Sequence, residues 1–128
     1  MKDIETPEDL YRLVDSFYNL AKKDEMLGPI FYQFVDDWEP HIQKVASFWE
    51  ATLFSSGPYK GNPMALHQKV DKTLNHTLGQ EHFNRWVEIW HQTTDSMFSG
   101  EKAEMAKQRA SNIANIMFIK IYQARSLS

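Results

Sequence analysis

The 128-residue chain contains no cysteine. That absence excludes disulfides, thiolate zinc sites, iron–sulfur clusters and cysteine nucleophiles, and it permits a reducing compartment. A charge excess is also missing: 14 Lys and Arg stand against 17 Asp and Glu, for a formal charge of -3. The basic residues are scattered, so there is no stripe for a nucleic-acid backbone or an anionic membrane. Long apolar runs are lacking too. The longest spans Ile116 to Ile119, against the roughly 20 residues that a membrane-crossing helix needs. Met1-Lys2-Asp3-Ile4-Glu5 has no apolar run after its basic residue, so neither a signal peptide nor a membrane span is expected, and the cytoplasm is the expected location. Only five glycines occur, with no glycine-rich phosphate loop and no G-x-S-x-G elbow.

Aromatic residues are abundant: four Trp, five Tyr and eight Phe make up 13% of the chain. With 42% hydrophobic and 24% charged residues the composition is that of one globular domain, spanning 1–128.

Helical signals run along most of the chain. Thr6 is a candidate N-cap with Pro7 at the first helical position, and Leu10, Leu13, Val14, Phe17, Tyr18 and Ala21 follow at helical spacing. Leu27-Gly28-Pro29 breaks that helix, and the next residues read as a short helical turn with Phe31 and Phe34 pointing inward. A second long helix is expected from about Asp37–Pro40 to Phe54, with His41, Ile42, Val45, Phe48, Trp49 and Leu53 on one stripe. Ser55 to Pro63 reads as a loop, with Pro63 opening a short helix through His67. Lys69 to Gly79 shows no clear period and is expected as a loop with one helical turn. Thr77 and Gln80 resemble a capping box ahead of a helix carrying Phe83, Trp86, Val87, Trp90, Thr94 and Met97 on its buried face. Ser99-Gly100 ends that helix, and a last one runs from about Lys102 to Tyr122. No period-two alternation and no internal repeat appears, so the expected class is all-α, with four long helices and one or two short ones.

The five histidines, at 41, 67, 76, 82 and 91, form no HExxH motif. A di-iron bundle needs two Glu-x-x-His segments, and only Glu88-Ile89-Trp90-His91 is present. What remains is one imidazole inside an aromatic helical core, the setting that haem iron uses. Phe31, Phe34, Phe48, Trp49 and Trp90 are candidates for the sides of a flat apolar slot; ordinary core packing is the alternative for each of them.

Leu27-Gly28-Pro29-Ile30-Phe31, Ser47-Phe48-Trp49, the run Tyr59-Lys60-Gly61-Asn62-Pro63-Met64-Ala65-Leu66-His67, and His82-Phe83-Asn84-Arg85-Trp86, in that order, resemble a group III truncated haemoglobin over nearly the whole chain. The resemblance implies a two-over-two helical sandwich around haem b, with His67 as the axial iron ligand. It implies a distal side formed by Tyr18, His41 and Trp86, with Val45 and Trp49 along the distal wall. Eighteen residues, Gln68 to Arg85, separate His67 from Trp86, which leaves His76 as a rival ligand. Tyr59, Lys60 and Arg85 are candidates for the haem propionates.

The expected function is binding of dioxygen, nitric oxide or carbon monoxide at haem iron. Phenol and indole donors over the ligand favour nitric oxide or peroxide chemistry over bulk oxygen delivery. Turnover requires an external reductase, since the chain has no room for a flavin domain. The competing class is a haem-free helical interaction module, in which the aromatic stripes are core or a partner groove.

Overall fold

The described residues form six helices: α1 Pro7–Ala21, α2 Gly28–Phe34, α3 Trp38–Phe54, α4 Pro63–Thr73, α5 Gln80–Met97 and α6 Glu101–Ser126. The computed structural model describes residues 1–55, 63–74 and 78–126, and no strand occurs among them. Helix α1 packs on α3 and α5 on α6, and the two pairs meet through α1–α5 and α3–α6. This is the expected two-over-two arrangement. None of the described helices is long and apolar enough to cross a membrane.

The start of α1 shows how local chemistry fixes a helix end. Thr6 Oγ1 accepts the Asp9 N–H at 3.1 Å, and Asp9 Oδ2 accepts the Thr6 N–H at 3.2 Å, closing a capping box. Asp9 is buried, and its carboxylate also takes Lys2 and Arg12, each at 2.8 Å. Burial alone raises its pKa, but the hydrogen bonds from Lys2, Glu5, Arg12 and Thr6 outweigh that and hold it well below the usual carboxylate range.

The N-terminal segment likewise caps α6. Asp3 accepts the backbone N–H groups of Lys102 and Ala103, each at 2.9 Å. Gly100 makes this approach feasible: its φ is 142°, and a Cβ there would stand 2.6 Å from Asp3 Cγ.

Two apolar clusters form the interior. The larger joins α1, α3, α5 and the first half of α6, around Leu10, Leu13, Phe17, Trp49, Trp90 and Ala106. Trp49 and Trp90 stack with centroids 4.7 Å apart, and the Trp90 indole donates to the Ala106 carbonyl at 3.2 Å. Buried Thr93 and Thr94 return their hydroxyls to the carbonyls of Ile89 and Trp90 one turn back, so neither leaves a polar group stranded. The smaller cluster comprises Leu78, Phe83, Ala114, Met117 and Ile121. Trp86 and Ile113 pack against both.

Three sequence expectations are corrected. Lys69 to Thr73 is helix, the continuation of α4, not loop. The Asp71 carboxylate accepts the Leu78 N–H at 3.0 Å. The N-cap of α5 is Gly79, not Thr77, which lies outside the described residues. The Gly79 N–H donates to His82 Nδ1 at 2.9 Å, so the fourth residue of the turn supplies the cap. Phe34, in the last turn of α2, turns inward less fully than expected: it is 36% exposed while still lining the cavity described below.

Candidate functional site

Between the two clusters lies a cavity of about 620 Å³, within the 300–1,000 Å³ typical of small-molecule and cofactor sites. It is walled by Phe17, Leu27, Ile30, Phe31, Phe34, Val35, Val45, Phe48, Trp49, Val70, Leu78, Phe83, Trp90, Ile113, Ala114 and Met117. Among the described residues its polar groups are Tyr18, His41, Trp86, His67, Lys44 and Lys69.

Helix α1 supplies Tyr18. The residue is 5% exposed, and burial pushes its phenol pKa up, so the hydroxyl stays protonated. Helix α3 supplies His41 from its first turn, with Nε2 2.9 Å from Tyr18 Oη. Burial, then the Lys44 ammonium and then His67, holds the imidazole below its usual range, and it is neutral at pH 7. A neutral ring leaves two arrangements. With the hydrogen on Nδ1, Tyr18 donates to His41; with it on Nε2, His41 donates and the phenol hydrogen is free to turn into the cavity. Tyr18 is held by edge contacts with Phe17 at 5.0 Å and Phe31 at 5.3 Å.

Helix α5 supplies Trp86, half-buried, with its ring 6.3 Å from Trp90 and nearly parallel to it at 6°. No hydrogen-bond partner among the described residues claims its indole N–H. The preceding residue, Arg85, does not line the cavity. Its Nε donates to Asp24 at 2.7 Å and a terminal nitrogen to Glu88 at 2.7 Å, tying the α1–α2 corner to α5. The corner is tight because α2 begins directly against α1: a Cβ on Gly28 would stand 2.5 Å from the Lys22 carbonyl oxygen.

Helix α4 supplies His67, half-buried, together with Lys69 and Val70. The structure thus brings Tyr18, His41, Trp86 and His67 to one chamber with Phe31, Phe34, Val45, Phe48, Trp49 and Trp90. Tyr59, Lys60 and the rival ligand His76 lie outside the described residues. Sequence reasoning missed Lys44 and Lys69. Lys44 reads as a solvated helix position and Lys69 as the start of a loop, and the one available signal is that Lys44 falls one turn after His41.

No group of three or more His, Asp or Glu side chains gathers among the described residues, so a metal held by several protein ligands has no support there. A flat aromatic chamber with one imidazole from α4 and phenol, imidazole and indole groups from α1, α3 and α5 fits a planar metallocycle that brings most of its own ligands.

Helices in this arrangement around such a chamber define a truncated-globin fold. The crystal structure of group III truncated hemoglobin from Campylobacter jejuni superimposes with a TM-score of 0.85 at 28% identity, covering 97% of this chain and 98% of that one. In sequence, the chain is 29% identical over 112 residues to the group 3 truncated hemoglobin ctb of Campylobacter jejuni, 84% of each chain being covered. The chain resembles group III truncated haemoglobins in both fold and sequence. No family profile matches it.

Proposed function

We propose that this chain, as a single truncated-globin domain, binds haem b in the 620 Å³ chamber, with His67 as axial ligand to the iron. Tyr18, His41 and Trp86 are then the groups that meet a diatomic ligand. The observation that carries the reading is their convergence with His67 in one apolar chamber. Resemblance to group III truncated hemoglobins supports it.

Bound haem supplies an iron that takes dioxygen, nitric oxide or carbon monoxide. The chain does the rest. Phe31, Phe48, Trp49, Phe83 and Met117 exclude water, which strengthens every hydrogen bond made inside. Trp86 is donor only, and its indole N–H favours a ligand atom bearing partial negative charge. Tyr18 donates to that atom when His41 holds its hydrogen on Nε2. Lys44 and Lys69, which stand at the chamber, join Tyr59 and Lys60 as propionate partners, whereas Arg85 is engaged by Asp24 and Glu88.

Two donors over the ligand favour retention over delivery, so the function we infer is nitric oxide or peroxide chemistry in the cytoplasm, with electrons from a separate reductase. Titration of the purified chain with haem is the test. Stoichiometric uptake, with a Soret band that shifts when carbon monoxide is added to the reduced form, is expected. A chain that stays colourless with excess haem is instead the helical interaction module.

A further inference from the structure

Aromatic rings leave the chamber in two directions, and the two runs end differently. Trp86, Trp90 and Trp49 run inward, and the last two are each 1% exposed. Tyr18, Trp38 and Tyr32 run outward. Tyr18 lies 5.5 Å from Trp38 and Trp38 5.8 Å from Tyr32, centroid to centroid. Exposure rises along the way, from 5% at Tyr18 through half-buried Trp38 to 62% at Tyr32. The inward run ends on two fully buried rings, so an electron vacancy reaching them has nothing to react with. The outward run ends on a phenol in water.

We propose that Tyr18, Trp38 and Tyr32 form an electron relay, and that Tyr32 is a surface site where the peroxide-treated protein oxidises small phenols. The proposal rests on haem occupying the chamber. Phenols and indoles are the side chains most readily oxidised by one electron, and neighbouring rings here are in or near contact. Hydrogen peroxide takes up two electrons and two protons to give two waters. Each electron leaves Tyr18 as its phenol proton passes to His41 Nε2, 2.9 Å away, in the tautomer that carries its own hydrogen on Nδ1. Trp38 then reduces Tyr18, which recovers its proton, and Tyr32 reduces Trp38. Tyr32 loses its own proton to solvent and becomes a neutral phenoxyl. A phenol arriving at the surface returns a hydrogen atom to Tyr32, so two phenols are converted to two phenoxyl radicals for each peroxide.

The surroundings favour Tyr32 as the end point. The Lys22 ammonium lies 4.7 Å from the centre of the Trp38 ring, which disfavours positive charge on the indole and keeps its residence there short. Phe31 fills the corner between Tyr18 and Trp38, at 5.3 and 6.3 Å, but a benzene ring is too hard to oxidise to serve as a station.

The test mixes the ferric haem-loaded protein with hydrogen peroxide and a nitroso spin trap, and locates the covalent adduct by peptide mass spectrometry. The adduct is expected on Tyr32. Tyr32→Phe should remove it, and Trp38→Phe should lower it several-fold while the carbon monoxide spectrum of the reduced protein stays unchanged. Tyr122→Phe, at a phenol 61% exposed elsewhere, should leave it intact. Equal labelling of Tyr32 in Trp38→Phe, or labelling chiefly of Tyr122 or Tyr11, overturns the relay. A normal Soret band with no adduct on Tyr32 overturns the relay alone, whereas no Soret band before peroxide is added overturns the haem reading with it.

Discussion

The two sides of the chamber are built to different standards. Tyr18, His41 and Trp86 stand on α1, α3 and α5, helices whose other residues are locked into the larger cluster with the Trp49–Trp90 stack at its centre. His67 stands on α4, which packs chiefly on α6 beside the smaller cluster of Leu78, Phe83, Ala114, Met117 and Ile121. On the proposed function, the groups that would face a ligand are thus set by the core before any cofactor arrives, as precise placement of donors requires. The His67 side rests on the smaller apolar cluster, and on the proposed function a bound haem would itself supply the missing surface. Stability of the first region is a property of the chain, and that of the second is linked to ligand.

Replacements in the two regions should therefore behave differently. Leu13→Ala, fully buried in the larger cluster and outside the chamber lining, should cost about 2–5 kcal/mol by chemical denaturation, with or without haem. Val70→Ala, half-buried on α4, should cost about 1 kcal/mol without haem and act mainly by weakening haem uptake. Similar losses for the two without haem would break the contrast.

A pH experiment sharpens it. In the folded chain Asp9 titrates below the ordinary carboxylate value of 3.8, so its stabilising contribution is complete above that value and is lost as the pH falls further. Asp9→Asn should lower stability at pH 7 by about 2 kcal/mol, the scale of hydrogen bonds to a charged group, and should flatten the acid limb of the stability curve. Because Asp9 belongs to the core side, the loss should be equal with and without haem.

Within the chamber, Trp86→Phe removes the donor with no competing partner among the described residues, and Tyr18→Phe the one shared with His41. Each should speed dioxygen release by about tenfold, corresponding to about 1.4 kcal/mol, measured by stopped flow. Unchanged release in both variants would remove these side chains from the ligand. The smallest effect is expected at the rim: the double change Lys44→Gln, Lys69→Gln should weaken haem affinity by about two- to fivefold, since exposed ion pairs contribute about 0–1 kcal/mol each.

How much of this was legible in the sequence follows the same division. Helices α1, α3, α5 and α6 announce themselves because each buries a stripe against the large cluster, and burial imposes the period of 3.6 residues. Thr6, Pro7 and Gly100 mark their ends through hydrogen bonding and backbone freedom that any reader of the sequence can anticipate. Helix α4 hides its second half. Gln68, Lys69, Asp71 and Lys72 interrupt the apolar pattern, and the bond from Leu78 to Asp71 is a tertiary fact with no local trace. Gly79 rather than Thr77 caps α5 because His82 accepts its N–H, a role that the residue pattern does not advertise. Lys44 and Lys69 look like any solvated lysine until the chamber mouth is seen beside them. Tyr32 looks like an incidental exposed ring until Trp38 is seen to join it to Tyr18.

The central claim is that His67 ligates haem iron in a chamber whose opposing donors belong to the core. It is tested most directly by the absorption spectrum of haem-loaded His67→Gly, in the reduced state with and without carbon monoxide, before and after imidazole is added. The account predicts a variant that has lost the wild-type five-coordinate spectrum and regains it when imidazole fills the space. A variant whose spectrum matches wild type without imidazole would contradict the account and pass the ligand's role to another histidine, His76 first.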